Sequence, residues 1–391
     1  MNELPMGWCN AILENVLDYL QPTKYIVETV DYRDSYKTPV LTAGKSFILG
    51  KTNETKGIFT DLPVIIFDDF TTAIKFVNFQ FKVKSSAMKI LKPTTKYVNI
   101  HYVFYFMKTL RITIDTHKRY WISHFSQLGI PFPPLSEQQR IVAKIEELFS
   151  SLEKGIENLK TAQGQLKVYR QSVLKWAFEG KLTNKNVNDG ELPEGWTWTT
   201  LNAICEIKRG KSKHRPRDDK LLFGGNYPFI QTGDVRGANG GIIRKYSQTY
   251  NEIGLDQSKL WPKNTLCLTI AANIGETAFL GFDACFPDSV VGIIAYEKKS
   301  DIKYLSFYIQ RIKQELDSKA SATAQKNINV EFLNKVRFPI CSITEQQAIV
   351  SEIETRLSVC DKLEESIEQS LLQTESGICQ DSFRKVFSET C

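Results

Sequence analysis

The chain of 391 residues is 42% hydrophobic and 24% charged, with a formal net charge of +6. This is the mixture of a globular protein with room for two domains, and no apolar run reaches the roughly 18 residues that a membrane span requires. The first residues lack the basic and apolar regions of a signal peptide, and eight scattered cysteines, none in a C-x-x-C pair, predict reduced thiols in the cytoplasm rather than a disulfide framework or a zinc site.

The chain opens on Leu4-Pro5-x-Gly7-Trp8. Residues 62–67 read as a buried strand ending at Asp68-Asp69, residues 76–83 alternate as a half-buried strand, and residues 98–108 read as a short helix. Pro133 and Pro134 stop the strand of Ile130-Pro131-Phe132 from running on. Ser136 and Gln139 then have capping-box spacing, and Glu137 adds negative charge at the positive end of a helix. Along that helix Ile145, Leu148, Leu152, Ile156, Leu159 and Leu166 recur in steps near three and four, as a coiled-coil seam requires.

Residues 183–191 are a polar, turn-rich linker. Six Lys and Arg crowd into ten residues after it: Lys208, Arg209, Lys211, Lys213, Arg215 and Arg217. Residues 227–235 read as a strand opening into a polar end, residues 265–270 and 289–295 as buried strands, and residues 303–318 as a helix. Thr344-Glu345-Gln346-Gln347 has capping-box spacing again, and Ile353, Leu357, Leu363, Ile367 and Leu371 carry the seam of a second long helix. Each helix is predicted to last about 45 residues, roughly 65–70 Å. Neither can bury its stripe alone, whereas two antiparallel helices of equal length could bury each other's.

These elements form an internal repeat. The Leu-Pro-x-Gly-Trp entry recurs as Leu192-Pro193-x-Gly195-Trp196. The exit Ser136-Glu137-Gln138-Gln139 recurs as Thr344-Glu345-Gln346-Gln347, and Pro131 recurs at the same offset as Pro339. The exit offset is larger than the entry offset. The first half is therefore the shorter one between the same markers, and the two middles are unlike. One frame carrying two different heads is predicted. The fold class is α+β, with a first recognition domain at 1–135, a first spacer helix at 136–182, a linker at 183–191, a second domain at 192–343 and a second spacer helix at 344–391. The two helices are expected to pair as an antiparallel coiled coil.

The duplicated entry, the prolines before Ser/Thr-Glu-Gln-Gln and the paired long helices resemble the specificity subunit of type I restriction–modification enzymes. Within the heads, Pro63-Val64-Ile65-Ile66-Phe67-Asp68-Asp69 resembles one class of target recognition domain. Gln231-Thr232-Gly233-Asp234-Val235 and Phe286-Pro287-Asp288-Ser289-Val290-Val291-Gly292 resemble another. The resemblance covers essentially the whole chain. It implies a non-catalytic chain that binds double-stranded DNA, two modification (methyltransferase) subunits and restriction (motor–nuclease) subunits. S-adenosylmethionine, ATP and Mg²⁺ belong to those partners.

Phosphate contacts call for Lys and Arg, and base reading for groups that donate and accept in the groove. In the second head the basic run 208–217 is expected on phosphates, with Gln231, Thr232, Asp234 and Arg236 near base edges. Arg244, Lys245, Gln325, Lys326 and Asn327 are further candidates. In the first head the exit offset places Lys118 where Lys326 stands, next to Arg119 and Tyr120. Thr42, Lys45, Lys51, Thr52, Asn53 and Lys56 complete the set.

Catalytic and metal residues are not expected in this chain. Residues 44–52 miss the phosphate-loop spacing by one residue, and the four histidines have no metal spacing. The alternative is a stand-alone DNA-binding endonuclease with a metal site at Asp288, Glu297 and Lys299.

Overall fold

The computed structural model describes residues 4–42, 46–110, 120–184, 187–271, 273–321 and 327–377. The chain divides into two units: residues 1–160 with 367–391, and residues 161–366. Each unit therefore takes part of both long helices.

In the first unit the strand Val64–Asp68 is buried at every position. It lies inside an antiparallel sheet in the order Leu17–Leu20, Met88–Pro93, Val64–Asp68, Ile74–Val77. Its continuous apolar run has a physical cause, because both faces of the sheet are covered. Ile65 and Phe67 pack with helix Ile100–Thr109, while Val64 and Ile66 face a second core with Phe59 and Phe81. The expected single strand at 76–83 is two. Ile74–Val77 belongs to this sheet, and Lys82–Val83 pairs in parallel with Thr38–Leu41 in a three-stranded sheet completed by Ile48–Thr52. The alternation survives the break because Val77, Phe79, Phe81 and Val83 all pack in the same core.

The second unit is built likewise. A five-stranded sheet runs in the order Cys205–Arg209, Val290–Ala295, Leu266–Thr269, Thr277–Leu280, Ile242–Ile243, with only the last pair parallel. Leu266, Leu268, Val291 and Ile293 face one core, and Cys267, Val290, Ala278 and Leu280 the other. The expected extended stretch at 227–235 is cut short. The strand Phe223–Phe229 ends, and helix Thr232–Ala238 begins shortly after it. The helix expected at 303–318 is two, Ile302–Arg311 and Lys313–Ser321.

The common frame is explicit in the strand register. Cys9–Ile12 pairs with Gly129–Phe132, and Thr197–Thr200 with Arg337–Ile340. The partners Cys9↔Phe132 and Thr197↔Ile340 are related by the entry and exit offsets of the repeat. The glutamine after each acidic residue closes the frame. Gln138 is fully buried, accepts from Asn99 N at 2.8 Å and donates to Pro133 O at 2.9 Å. Gln346, also fully buried, accepts from Asp301 N at 2.8 Å and donates to Cys341 O at 2.9 Å. Asn99 and Asp301 are the N-caps of the head helices. A tyrosine on each of those helices donates to the frame proline: Tyr102 to Pro131 O and Tyr304 to Pro339 O.

The long helices are Leu135–Phe178 and Ile343–Gly377, about 66 and 52 Å at 1.5 Å per residue. Both begin one residue before the expected capping boxes. Ser342 Oγ accepts from Glu345 N and so caps the second helix, while Pro134 O receives Glu137 N and Gln138 N in the first. Gln139 and Gln347 are exposed.

In the second unit the two helices run antiparallel. Val173, Ala177 and Phe178 share a core with Ile349, Val350 and Ile353, and Arg170, two turns before Phe178, bonds forward to Asp361 at 2.7 Å and Glu364 at 2.9 Å. Of the expected seam residues, Leu152, Ile156, Leu159, Leu166, Leu357, Ile367 and Leu371 are half-buried. Ile145 and Ile353 are buried in the heads' cores instead, because the first turns of each helix lie beneath its head. Leu148 and Leu363, at 43% and 49% exposure, lie at the surface.

Candidate DNA interface

The basic run of the second head is a loop pinned from below. Gly210 N donates to Val290 O and Lys211 N to Phe286 O. A Cβ on Gly210 would stand 2.3 Å from Pro287 O and 2.4 Å from Phe286 O, so only glycine permits the approach. Ser258 Oγ donates to Lys211 O, and Gln257 Oε1 receives both Lys213 N and His214 N. Above these anchors Arg209, Lys213, Arg215 and Arg217 are exposed, and Lys211 is half-buried. Lys208 is exposed and ion-paired with Glu206. Arg215 donates to the Ser212 and His214 carbonyls, which shapes the loop. His214 Nε2 lies 2.8 Å from Asp219 Oδ2; the Leu221 amide, and then His214, hold that carboxyl below its ordinary range.

A cavity of about 220 Å³ joins this loop to the expected base-reading segment. Ser212, Arg217, Phe223, Phe229, Gln231 and Gln248 are among the residues that line it. Arg217 Nη2 donates to both carboxylate oxygens of Asp288, at 2.7 and 2.8 Å. Gln231 Nε2 donates to Gln248 Oε1 at 2.6 Å. Arg236 reaches Asn273 Oδ1 at 3.3 Å, and Arg244 and Lys245 lie on the exposed run that precedes Gln248.

Asp234 has a different task from the one expected. Its Oδ2 accepts from Gln231 N and completes the capping box of helix Thr232–Ala238. Thr232, half-buried, begins that helix. Asn327 pairs with Ala271 through backbone, and Gln325 and Lys326 lie outside the described residues.

In the first head Thr38–Leu41 and Ile48–Thr52 form a hairpin. Thr42 is half-buried at its tip, and Lys45 lies outside the described residues. Asn53 and Lys56 are exposed, and Lys51 Nζ reaches Asp34 O at 3.5 Å. Thr52 is 1% exposed, and its hydroxyl accepts from Glu54 N, so it supports the turn instead of facing a ligand. Tyr120, expected at the surface, is 2% exposed in the core. Lys118 and Arg119 lie outside the described residues.

An ion pair between buried Lys82 and half-buried Glu54 holds the base of this hairpin. Lys82 Nζ is 2.6 Å from Glu54 Oε2 and donates to Lys56 O at 2.8 Å. Glu54 Oε1 accepts from Glu28 N and Thr29 N. Burial alone would raise the Glu54 pKa, but Lys82 and these amides outweigh it and bring it down to about 2.

The endonuclease alternative fails on geometry. Asp288 and Glu297 flank opposite ends of strand Val290–Ala295, whose six residues span about 20 Å at roughly 3.3 Å each. Asp288 is occupied by Arg217, and Lys299 Nζ donates to Ala203 O. Among the described residues no three His, Cys, Asp or Glu side chains gather as a metal group. Burial pushes the Cys205 and Cys341 thiols up to about 12, which makes them poor nucleophiles.

The family model described as Type I restriction modification DNA specificity domain matches residues 5–161 and again 193–373. The EcoR124I/EcoR124II specificity subunit of Escherichia coli is 33% identical over 94% of this chain and 88% of its own length. The MjaVIII specificity subunit of Methanocaldococcus jannaschii is 24% identical over 94% of this chain and 91% of its own. Among solved structures, the HsdS subunit from Thermoanaerobacter tengcongensis has a similar fold, with a TM-score of 0.64 and 18% identity over 100% of this chain and 97% of that one. A chain from a type I R-M system, solved in work on complex assembly and conformational transition, matches with a TM-score of 0.62 and 18% identity over 99% of each.

Proposed function

The chain belongs to the type I restriction–modification DNA specificity family, whose members are non-catalytic recognition subunits, and on that premise we propose that each of its heads reads one half of a bipartite, asymmetric DNA site. The two long helices set the gap between the half-sites and dock two modification subunits. Those partners supply S-adenosylmethionine-dependent adenine methylation. Restriction subunits supply ATP- and Mg²⁺-dependent translocation and cutting, and the assembly works in the cytoplasm.

The observation that carries this reading is the duplication: the same strand pair and the same buried glutamine bracket two heads of unlike sequence and sheet order. A repeated frame offers similar surfaces to two identical partners, and unlike heads read unlike half-sites. Inserting one heptad into both helices adds about 10 Å, on the order of three base pairs. Methylation mapping of the assembled complex should then find a longer gap between unchanged half-sites; an unchanged gap refutes the spacing role.

A further inference from the structure

We propose that the cavity rim of the second head is its base-reading centre, in which Arg217, oriented by Asp288, reads a guanine and the Gln231–Gln248 pair reads an adenine. This rests on the DNA-recognition reading above and assigns roles within it.

Arg217 differs from Arg209 and Lys213 of the basic loop. Arg209 and Lys213 are exposed cations suited to phosphate, which rewards charge and tolerates motion. Arg217 is neutralised by a carboxylate that receives two bonds from one nitrogen, so it adds little net charge toward a phosphate. The Asp288 contact instead removes rotamer freedom from the guanidinium. The remaining N–H groups on its planar fork suit the paired acceptors O6 and N7 of guanine.

The glutamines complement it. Gln231 Nε2 and Gln248 Oε1 satisfy each other at 2.6 Å, leaving a carbonyl on Gln231 and an amide NH₂ on Gln248. Adenine presents a donor at N6 and an acceptor at N7, which is the matching set. Both glutamines are exposed, and they line the same cavity as Arg217, together with Phe223 and Phe229. Gln248 carries no motif of its own and reaches the rim only because Gln248–Tyr250 pairs with Phe223–Phe229.

The test uses the full chain assembled with its modification subunits, with methylated motifs mapped by sequencing and binding measured over a salt series. Arg217→Ala should relax one G·C position of the second half-site by about tenfold to a hundredfold, the range of one bidentate contact, and leave the first half-site intact. Arg217→Lys should not restore it, because an ammonium lacks the fork. Asp288→Asn should relax the same position while steepening the salt dependence, since it frees a cation. Gln248→Ala should relax an A·T position. Lys213→Ala is the contrast: affinity falls evenly across sequences, and the salt slope drops by about one. An unaltered motif in the Arg217 and Gln248 variants, with the wild-type complex selective, overturns this assignment alone. A wild-type complex without sequence preference overturns the recognition reading and this one with it.

Discussion

Replacing Gln346 by leucine keeps the side chain's bulk and deletes its polar end. Gln346 is fully buried, accepts from Asp301 N at 2.8 Å and donates to Cys341 O at 2.9 Å, with a longer bond to Lys299 O at 3.3 Å. Each of the two short bonds contributes about 1 kcal/mol net, and stranding a buried partner costs roughly 1–3 kcal/mol more. Leucine recovers part of this through apolar contact, so the expected loss is about 2–4 kcal/mol. The assay is urea unfolding of the full chain, combined with hydrogen exchange at residues 299–305, where protection should fall first because the N-cap of helix Ile302–Arg311 loses its tie. Gln138→Leu should produce the same loss around Asn99 in the other unit. If both variants behave like ordinary surface substitutions, shifting stability by less than about 0.5 kcal/mol with protection at the caps retained, these glutamines do not lock the heads to the frame.

Stability should also depend on pH through Glu54, whose folded pKa of about 2 lies below its ordinary 4.5. A depressed carboxyl stabilises the fold above its unfolded pKa and loses that contribution as pH falls through the folded value. The loss should therefore run between about 4.5 and 2, reach at most about 3 kcal/mol, and disappear from the pH profile of Glu54→Gln. Arg170→Met removes both ion pairs to Asp361 and Glu364; because both carboxylates are partly exposed, a cost of about 0.5–1.5 kcal/mol, shrinking in high salt, is expected in thermal unfolding. Gly210→Ala cannot be accommodated without moving the basic loop or the 286–287 turn. It should cost about 1–3 kcal/mol and weaken DNA binding; full retention of both would remove the anchoring role.

The repeat, the long helices and the buried strands are legible in the sequence because each rests on periodicity or on a direct recurrence. The caps are not where the local signal puts them. Ser136 and Thr344 match a capping box, whereas Pro134 and Ser342 already satisfy the first turn. Gln138 and Gln346 sit inside the recurring motif, yet their role depends on Asn99 and Asp301, 39 and 45 residues away. Asp234 resembles a base contact in sequence because its capping task shows only once residues 232–238 are known to be helical. Thr52 and Tyr120 look like surface polar residues in composition, and only tertiary packing buries them. Gln248 has no local signal at all, since cross-strand pairing brings it to Gln231.

The strand pairs Cys9–Ile12 with Gly129–Phe132 and Thr197–Thr200 with Arg337–Ile340 bring the two ends of each head together on hydrogen-bonded neighbours. Such neighbours stand about 5 Å apart, so each head leaves and rejoins the frame at one narrow socket, with the buried glutamine as a further tie. Its mouth stays the same whether the polypeptide within is long or short, which is how inserts of unequal length share one mounting. A foreign insert spliced at Ile12 and Gly129, or at Thr200 and Arg337, would meet matched ends whatever its own length.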